Sequence, residues 1–219
     1  MLRLPFQDRA DAGYRLGAEL VRRKLAGDII VLALPRGGVP VGAEVADALG
    51  APLDVIVVRK LGVPWQPEFA MGAIVGSTRI LDEQIVRDLR ISREAVEAVI
   101  ARETQEMKRR ERLYRSGVAA HDLRGRSVVL VDDGLATGST MTVAARHVRS
   151  LNPKTLIIAV PVASPEACRR LRIEADECIC LAVPESFRAV GEWYRDFREV
   201  TDGEVQEILR HSSRMVPSA

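Results

Sequence analysis

The stretch "VVLVDDGLATGST", residues 128–140, decides the fold. Four apolar residues suited to a buried strand run into two adjacent carboxylates, and these into a loop built mostly of Gly, Ala, Ser and Thr. Ending a buried strand on two neighbouring negative charges costs free energy unless something binds there. Gly134 and Gly138 relax the backbone, and Ser139 and Thr140 open the next helical stretch with its first N–H groups unsatisfied. Such a junction suits a phosphate: backbone donors, the hydroxyls of Thr137, Ser139 and Thr140, and the positive end of a helix converge on one point. Adjacent carboxylates repel a bare phosphate, so Asp132 and Asp133 are expected to accept hydrogen bonds from hydroxyl groups, or to hold a metal, on another part of the same ligand. A sugar phosphate meets both demands. No Gly-Lys-Ser or Gly-Lys-Thr occurs, so an ATPase loses its main support.

Outward from this stretch, four more runs have the same character: "DIIVLAL" (28–34), "LDVIVVR" (53–59), "TLIIAV" (155–160) and "DECICLAV" (176–183), beside "SVVLVDD" (127–133) itself. Each is of strand length, rich in Val and Ile or nearly continuous in apolar residues, and so reads as buried on both faces. Helical patterns fall between them, in "VPVGAEVADALG", "STMTVAARHVRSL" and "SPEACRRLRI", and a further helix is expected over about 8–25. The alternation predicts an α/β fold, an open parallel sheet with helices on both faces, and places Asp132 and Asp133 at the carboxyl end of a central strand, where such sheets bind ligands.

The interval 60–126 is too long for one crossover and must hold extra structure. It opens with "KLGVPWQPEFAMGAIVG" and continues into "ISREAVEAVIARETQEMKRRERLYRSG", where Ser92 can cap a long helix ending near Gly117. Acid early and base late in that helix suit its dipole, and the charge run reads as a solvated face. No linker or repeat divides the chain, which predicts one domain over 1–219 with the 60–120 insertion and the 184–219 tail forming a hood.

The chain has 219 residues, 47% hydrophobic and 28% charged, with a formal net charge of +2: an ordinary globular composition that does not suit a nucleic-acid coat. No apolar run approaches membrane-spanning length, "MLRLPFQDRADAG" reaches charge before a signal-like stretch forms, and the three cysteines fit a reducing compartment, so a cytoplasmic protein with no membrane partner is expected.

"VVLVDDGLATGST" resembles the phosphoribosyl pyrophosphate (PRPP) motif of the type I phosphoribosyltransferases. "LPRGGVPVG" after the first strand is similar to that family's pyrophosphate-binding loop, and "VVRK" closing the second to its other basic contact. The resemblance covers roughly 28–62 and 127–183 and implies a Rossmann-like core. It also implies that Asp132 and Asp133 hold the ribose hydroxyls, with Mg2+ bound directly or through those hydroxyls and water. The loop Gly134, Leu135, Ala136, Thr137, Gly138, Ser139 and Thr140 would hold the 5′-phosphate, and Arg36, Gly37, Gly38, Arg59 and Lys60 the pyrophosphate, with a strained peptide, cis in one form, near Arg36. The implied reaction displaces pyrophosphate from ribose C1 by a nitrogenous base, and a homodimer is the family's usual assembly.

For the acceptor, "PESFRAVGEWYRDF" (184–197) resembles the segment of hypoxanthine-guanine enzymes in which an aromatic stacks on the purine. That makes Phe187 the expected stacking residue, Trp193 and Tyr194 further base-binding candidates, and Arg195 a pyrophosphate contact; the alternative is that these aromatics close the core of a small hood. Ala136 stands where purine salvage enzymes carry an acid, and "VPVASPEAC" offers no purine-reading lysine after the fourth strand. Glu68, beside Trp65 and two prolines, is the candidate general acid or base. A PRPP-binding regulator or a phosphoribosyl hydrolase are the rival functions. Cys178 and Cys180 share one strand face and, with only Cys168 left over and no histidine nearby, read as a buried packing pair.

Overall fold

The computed structural model describes residues 4–115 and 120–215. Its elements are α1 (Arg9–Arg22), β1 (Ile29–Ala33), α2 (Gly38–Leu49), β2 (Leu53–Val55), β3 (Arg59–Val63), β4 (Gln66–Val75), β5 (Thr78–Leu81), α3 (Glu83–Asp88), α4 (Arg93–Arg115), β6 (Ser127–Val131), α5 (Ser139–Ser150), β7 (Thr155–Val162), α6 (Pro165–Leu171), β8 (Glu177–Ala182) and α7 (Asp202–Met215), with a 3-10 turn at Val190–Trp193. Five strands lie side by side in the order β2-β1-β6-β7-β8, all parallel. The register sets Val31, Val129 and Ile157 in one row and Leu32, Leu130 and Ile158 in the next. The first row packs in a core with Leu16 and Leu20 of α1 and Val41 and Val45 of α2; the second packs with Met141 and Val148 of α5 and Leu171 of α6. Because helices cover both faces, every strand position can be apolar, which explains the unbroken runs in the sequence.

One expected strand is split. Only Leu53–Val55 pairs with β1, extended by the Ile56 N–H donating to the Ala33 carbonyl at 3.0 Å. Arg59 then begins a second sheet, antiparallel, in the order β3-β4-β5. Ile56 and Val57 are buried across the junction, so the apolar pattern carries no mark of the point where the chain changes sheets.

The insertion holds this second sheet, α3 and α4. Ser92 caps α4 as expected, its Oγ accepting from the Ala95 N–H at 3.2 Å; the expected end near Gly117 lies outside the described residues. The helix is not a purely solvated element. Met107 and Tyr114 are buried, and the Tyr114 hydroxyl donates to Asp202 of α7 at 2.6 Å. Arg109 and Arg110 pair with Glu106 at 2.7 and 2.8 Å, and Arg115 with Asp54 at 3.0 Å. Part of the basic run is thus paired within the fold. Among the described residues, no helix is long and apolar enough to cross a membrane.

Candidate active site

From β1 the chain winds outward through α2 to β2; from β6 it winds the other way through α5 to β7. The crevice between the carboxyl ends of β1 and β6 is therefore the topological switch point. The two loops that leave these strands are joined there, the Leu34 N–H donating to the Val131 carbonyl at 2.9 Å. The Pro35–Arg36 peptide is cis. A Cβ on Gly37 would stand 2.0 Å from Asp133 Oδ2, and one on Gly38 2.9 Å from both Asp132 Cα and the Val131 carbonyl oxygen. No side chain fits at either position, so the two glycines are what let the Arg36 turn lie against the aspartates.

Asp133 Oδ2 accepts from Arg9 Nε at 2.8 Å, with the two side chains only 14% and 11% exposed. Asp132 Oδ1 accepts the Asp133 N–H at 2.8 Å. Burial pushes the Asp132 carboxyl well above its ordinary range, and the neighbouring Asp133 charge adds to it. Asp133 is also raised by burial, against the opposing pull of Arg9. The pair is thus an under-compensated acidic site, the condition in which carboxylates gain most from hydroxyl donors or a cation.

Arg9 was not anticipated from the sequence. It stands 124 residues before Asp133, at the start of α1, where nothing local distinguishes it from other surface arginines. Its Nη1 also donates to the Arg198 carbonyl at 2.7 Å, and its guanidinium lies 3.9 Å from the centre of the Phe197 ring. A second unanticipated cation is Arg170 of α6, whose Nη1 donates to Ser139 Oγ at 3.2 Å.

The 134–140 loop divides into two kinds of residue. Leu135 is buried and its N–H donates to the Val162 carbonyl at 2.9 Å, so its side chain and its N–H anchor the loop. Ser164 Oγ donates to the Ala136 carbonyl at 2.6 Å and braces the next residue. Thr137, Ser139 and Thr140 are exposed, Thr137 Oγ1 lies 3.1 Å from Ser139 Oγ, and Gly138 holds a φ of +73° immediately before α5. The turn therefore presents hydroxyls and a helix N-terminus outward, as an anion requires.

The other expected residues separate. Arg36 forms an ion pair with Glu199 of the tail. Lys60 donates to the Glu68 carbonyl at 3.0 Å and to its carboxylate at 3.2 Å. Arg59, on the opposite strand face, is held by the buried Glu103 of α4 at 2.7 Å, which ties α4 to β3. Glu68 is 95% exposed and Trp65 is exposed too, so the sheltered environment expected for an acid–base carboxylate is not formed. Tyr194 is buried against Phe6, with ring centres 5.5 Å apart, and its hydroxyl donates to the Asp133 carbonyl; it supports the aspartates from below and has no face left for a base. Burial pushes its hydroxyl above its ordinary range. Phe187 and Trp193 stack on each other at 6.4 Å, and both are partly buried against that same small core. Arg195 is exposed, and its N–H donates to the Phe6 carbonyl at 2.8 Å.

A family model described as "Phosphoribosyl transferase domain" matches residues 7–197. The chain belongs to the phosphoribosyl transferase family. Proteins named "Putative phosphoribosyl transferase" from two strains of Mycobacterium tuberculosis are each 44% identical to it over 211 residues, 95% of this chain and 47% of theirs. The chain thus spans about half the length of the curated relatives it matches. The crystal structure of TT1426 from Thermus thermophilus aligns with a TM-score of 0.81 at 44% identity, over 94% of this chain and 98% of that one. The family is of the glycosyltransferase type, and the five parallel strands with flanking helices and a small antiparallel sheet form its type I core.

Proposed function

We propose that this chain transfers the 5-phosphoribosyl group of PRPP to a nitrogenous base or amine with release of pyrophosphate. The observation that carries the proposal is the packing of Arg36-Gly37-Gly38 on Asp132 and Asp133, with Gly37 so near that a single added carbon would meet the carboxylate. A pyrophosphate on the first loop and ribose hydroxyls on the second would then be neighbours, which is how the two groups are disposed on one sugar. The hydroxyls of Thr137, Ser139 and Thr140, the first turn of α5 and Arg170 are available to the 5′-phosphate at the other end of the ribose.

In this reaction the bond from C1 to the pyrophosphate oxygen breaks and its electron pair leaves with the pyrophosphate. The lone pair of the acceptor nitrogen forms the new C–N bond, and its proton passes to solvent. Positive charge grows on the ribose ring, and the ionised Asp132 and Asp133 beside it stabilise that charge. Arg36 and Lys60 balance the departing anion once they exchange their exposed partners Glu199 and Glu68, pairs worth at most about 1 kcal/mol each. Two adjacent, partly buried carboxylates fit Mg2+, which Asp132 and Asp133 would hold directly or through ribose hydroxyls and water, and which when bound would neutralise pyrophosphate charge. We infer that the β3-β4-β5 sheet with α4, together with the tail after β8, forms a hood over this rim.

A second function has one observation in its favour. Tyr194 is sealed into the core and Phe187 and Trp193 stack on each other, so no aromatic face is committed to a base. Water as acceptor, or PRPP binding without turnover, follows if that arrangement persists. The test is pyrophosphate release from PRPP and Mg2+ against a panel of purines, pyrimidines and amines, with Asp132→Asn plus Asp133→Asn as control. Release that requires one acceptor and vanishes in the control supports transfer. Release without acceptor establishes hydrolysis, and calorimetric PRPP binding with no release counts against transfer to any base or amine of the panel and points to a sensor or to an acceptor outside it.

A further inference from the structure

The three cysteines meet at the edge of the parallel sheet opposite β2. Cys178 and Cys180 alternate with Ile179 on β8 and so present their sulfurs on one face. Helix α6 brings Cys168 to that face. Cys180 Sγ lies 3.6 Å from Cys168 Sγ and 4.0 Å from Cys178 Sγ, and all three sulfurs fall within 4.8 Å of one another. Thiolates bound to one zinc at about 2.3 Å in tetrahedral geometry stand about 3.8 Å apart. The two shorter spacings bracket that value and the third is within 4.8 Å, so one ion can be reached by all three with side-chain rotations.

We propose that Cys168, Cys178 and Cys180 form a metal site that takes one thiophilic cation, zinc foremost, with the fourth position open to water or an external ligand. Among the described residues, these are the only three cysteine, histidine or acidic side chains grouped closely enough to share an ion. An all-sulfur set selects zinc or copper(I) over magnesium or calcium. The sequence suggested a packing pair on β8; the third sulfur, supplied from α6, is what changes that conclusion. A thiol must give up its proton to bind the ion, so binding tightens as pH rises. The bound ion would clip α6 to the edge strand β8, a strand with a neighbour on one side only.

The experiment uses the full chain, reduced and stripped with a chelator, titrated anaerobically with cobalt(II) as a coloured substitute and then with zinc. Expected are one cobalt per chain with sulfur-to-cobalt charge-transfer absorption, its loss on adding zinc, and tighter binding between about pH 6 and pH 8. The signal survives Asp132→Asn plus Asp133→Asn, which separates it from any ion at the aspartates. Cys178→Ser weakens binding by at least about tenfold, and Cys178→Ser plus Cys180→Ser abolishes it. Absence of the absorption in the wild type at micromolar cobalt overturns the proposal. So does a signal that persists in the double variant, or zinc that leaves all three thiols as reactive as before; if the double variant misfolds, the wild-type titration and Cys178→Ser decide.

Discussion

Arg9→Met tests whether the N-terminal helix governs the charge of the site. The substitution keeps most of the side-chain stem but removes the donor to Asp133 Oδ2 at 2.8 Å, the donor to the Arg198 carbonyl, and the one cation in contact with the Asp132–Asp133 pair among the described residues. Both partners of the ion pair are about nine-tenths buried, so solvent does little to replace it. Removing one member of such a pair while the other stays charged costs about 3–5 kcal/mol. The pair escapes that cost by taking up a proton, because burial and mutual repulsion already hold both carboxyls above their ordinary range. Ligand binding must then drive the proton off again. PRPP affinity in Arg9→Met is accordingly expected to fall by about 100- to 3,000-fold near pH 6 and to recover as pH rises toward about 9. Isothermal calorimetry of PRPP with Mg2+ across that range reads both effects, and Arg9→Lys, which retains the charge, should lie between variant and wild type. An Arg9→Met protein that is folded by circular dichroism yet binds PRPP with wild-type affinity and pH dependence refutes the reasoning.

Asp132→Asn should abolish PRPP binding while stabilising the ligand-free protein. A carboxyl raised on folding contributes stability that is present below its unfolded pKa, about 3.9, and lost as pH rises through the folded value, so the gain in Tm, a few degrees at pH 7, should vanish near pH 4 in a thermal scan. Gly37→Ala forces a carbon to within 2.0 Å of Asp133 Oδ2 unless the loop shifts; turnover and PRPP affinity should drop by about 100-fold in steady-state assays, with a loss of about 1–3 kcal/mol in urea unfolding. His147 is lowered by burial, with Thr78 Oγ1 at 2.9 Å, so its contribution is present above its unfolded pKa of about 6.5 and lost as pH falls through the folded value; His147→Leu should flatten the urea midpoint between about pH 7 and pH 5.

The main chain features were legible because they are local. A strand buried on both faces must be apolar throughout, and five such runs mark the five strands of the parallel sheet; a strand, a Gly-rich turn and a helix start lie within the thirteen residues of Val128 to Thr140. The break after Val55 was not legible, since Ile56 and Val57 are buried whichever sheet they join. Nor was the fate of the aromatics: Tyr194 carries the same pattern whether it faces a base or supports Asp133, and only its contact with Phe6 decides the matter.

What the sequence by itself determined was the layered α/β core, the place of Asp132 and Asp133 at a strand end, and the two glycine turns, all consequences of residue order over short distances. What only the tertiary structure decided was the company those residues keep. Arg9 compensates Asp133 across 124 positions, Glu103 takes Arg59 across 44, and Cys168 joins Cys180 across 12. The physical reason is common to all three: a charge or a sulfur has no periodicity of its own, and its partner is fixed only when helices and strands remote in sequence are stacked.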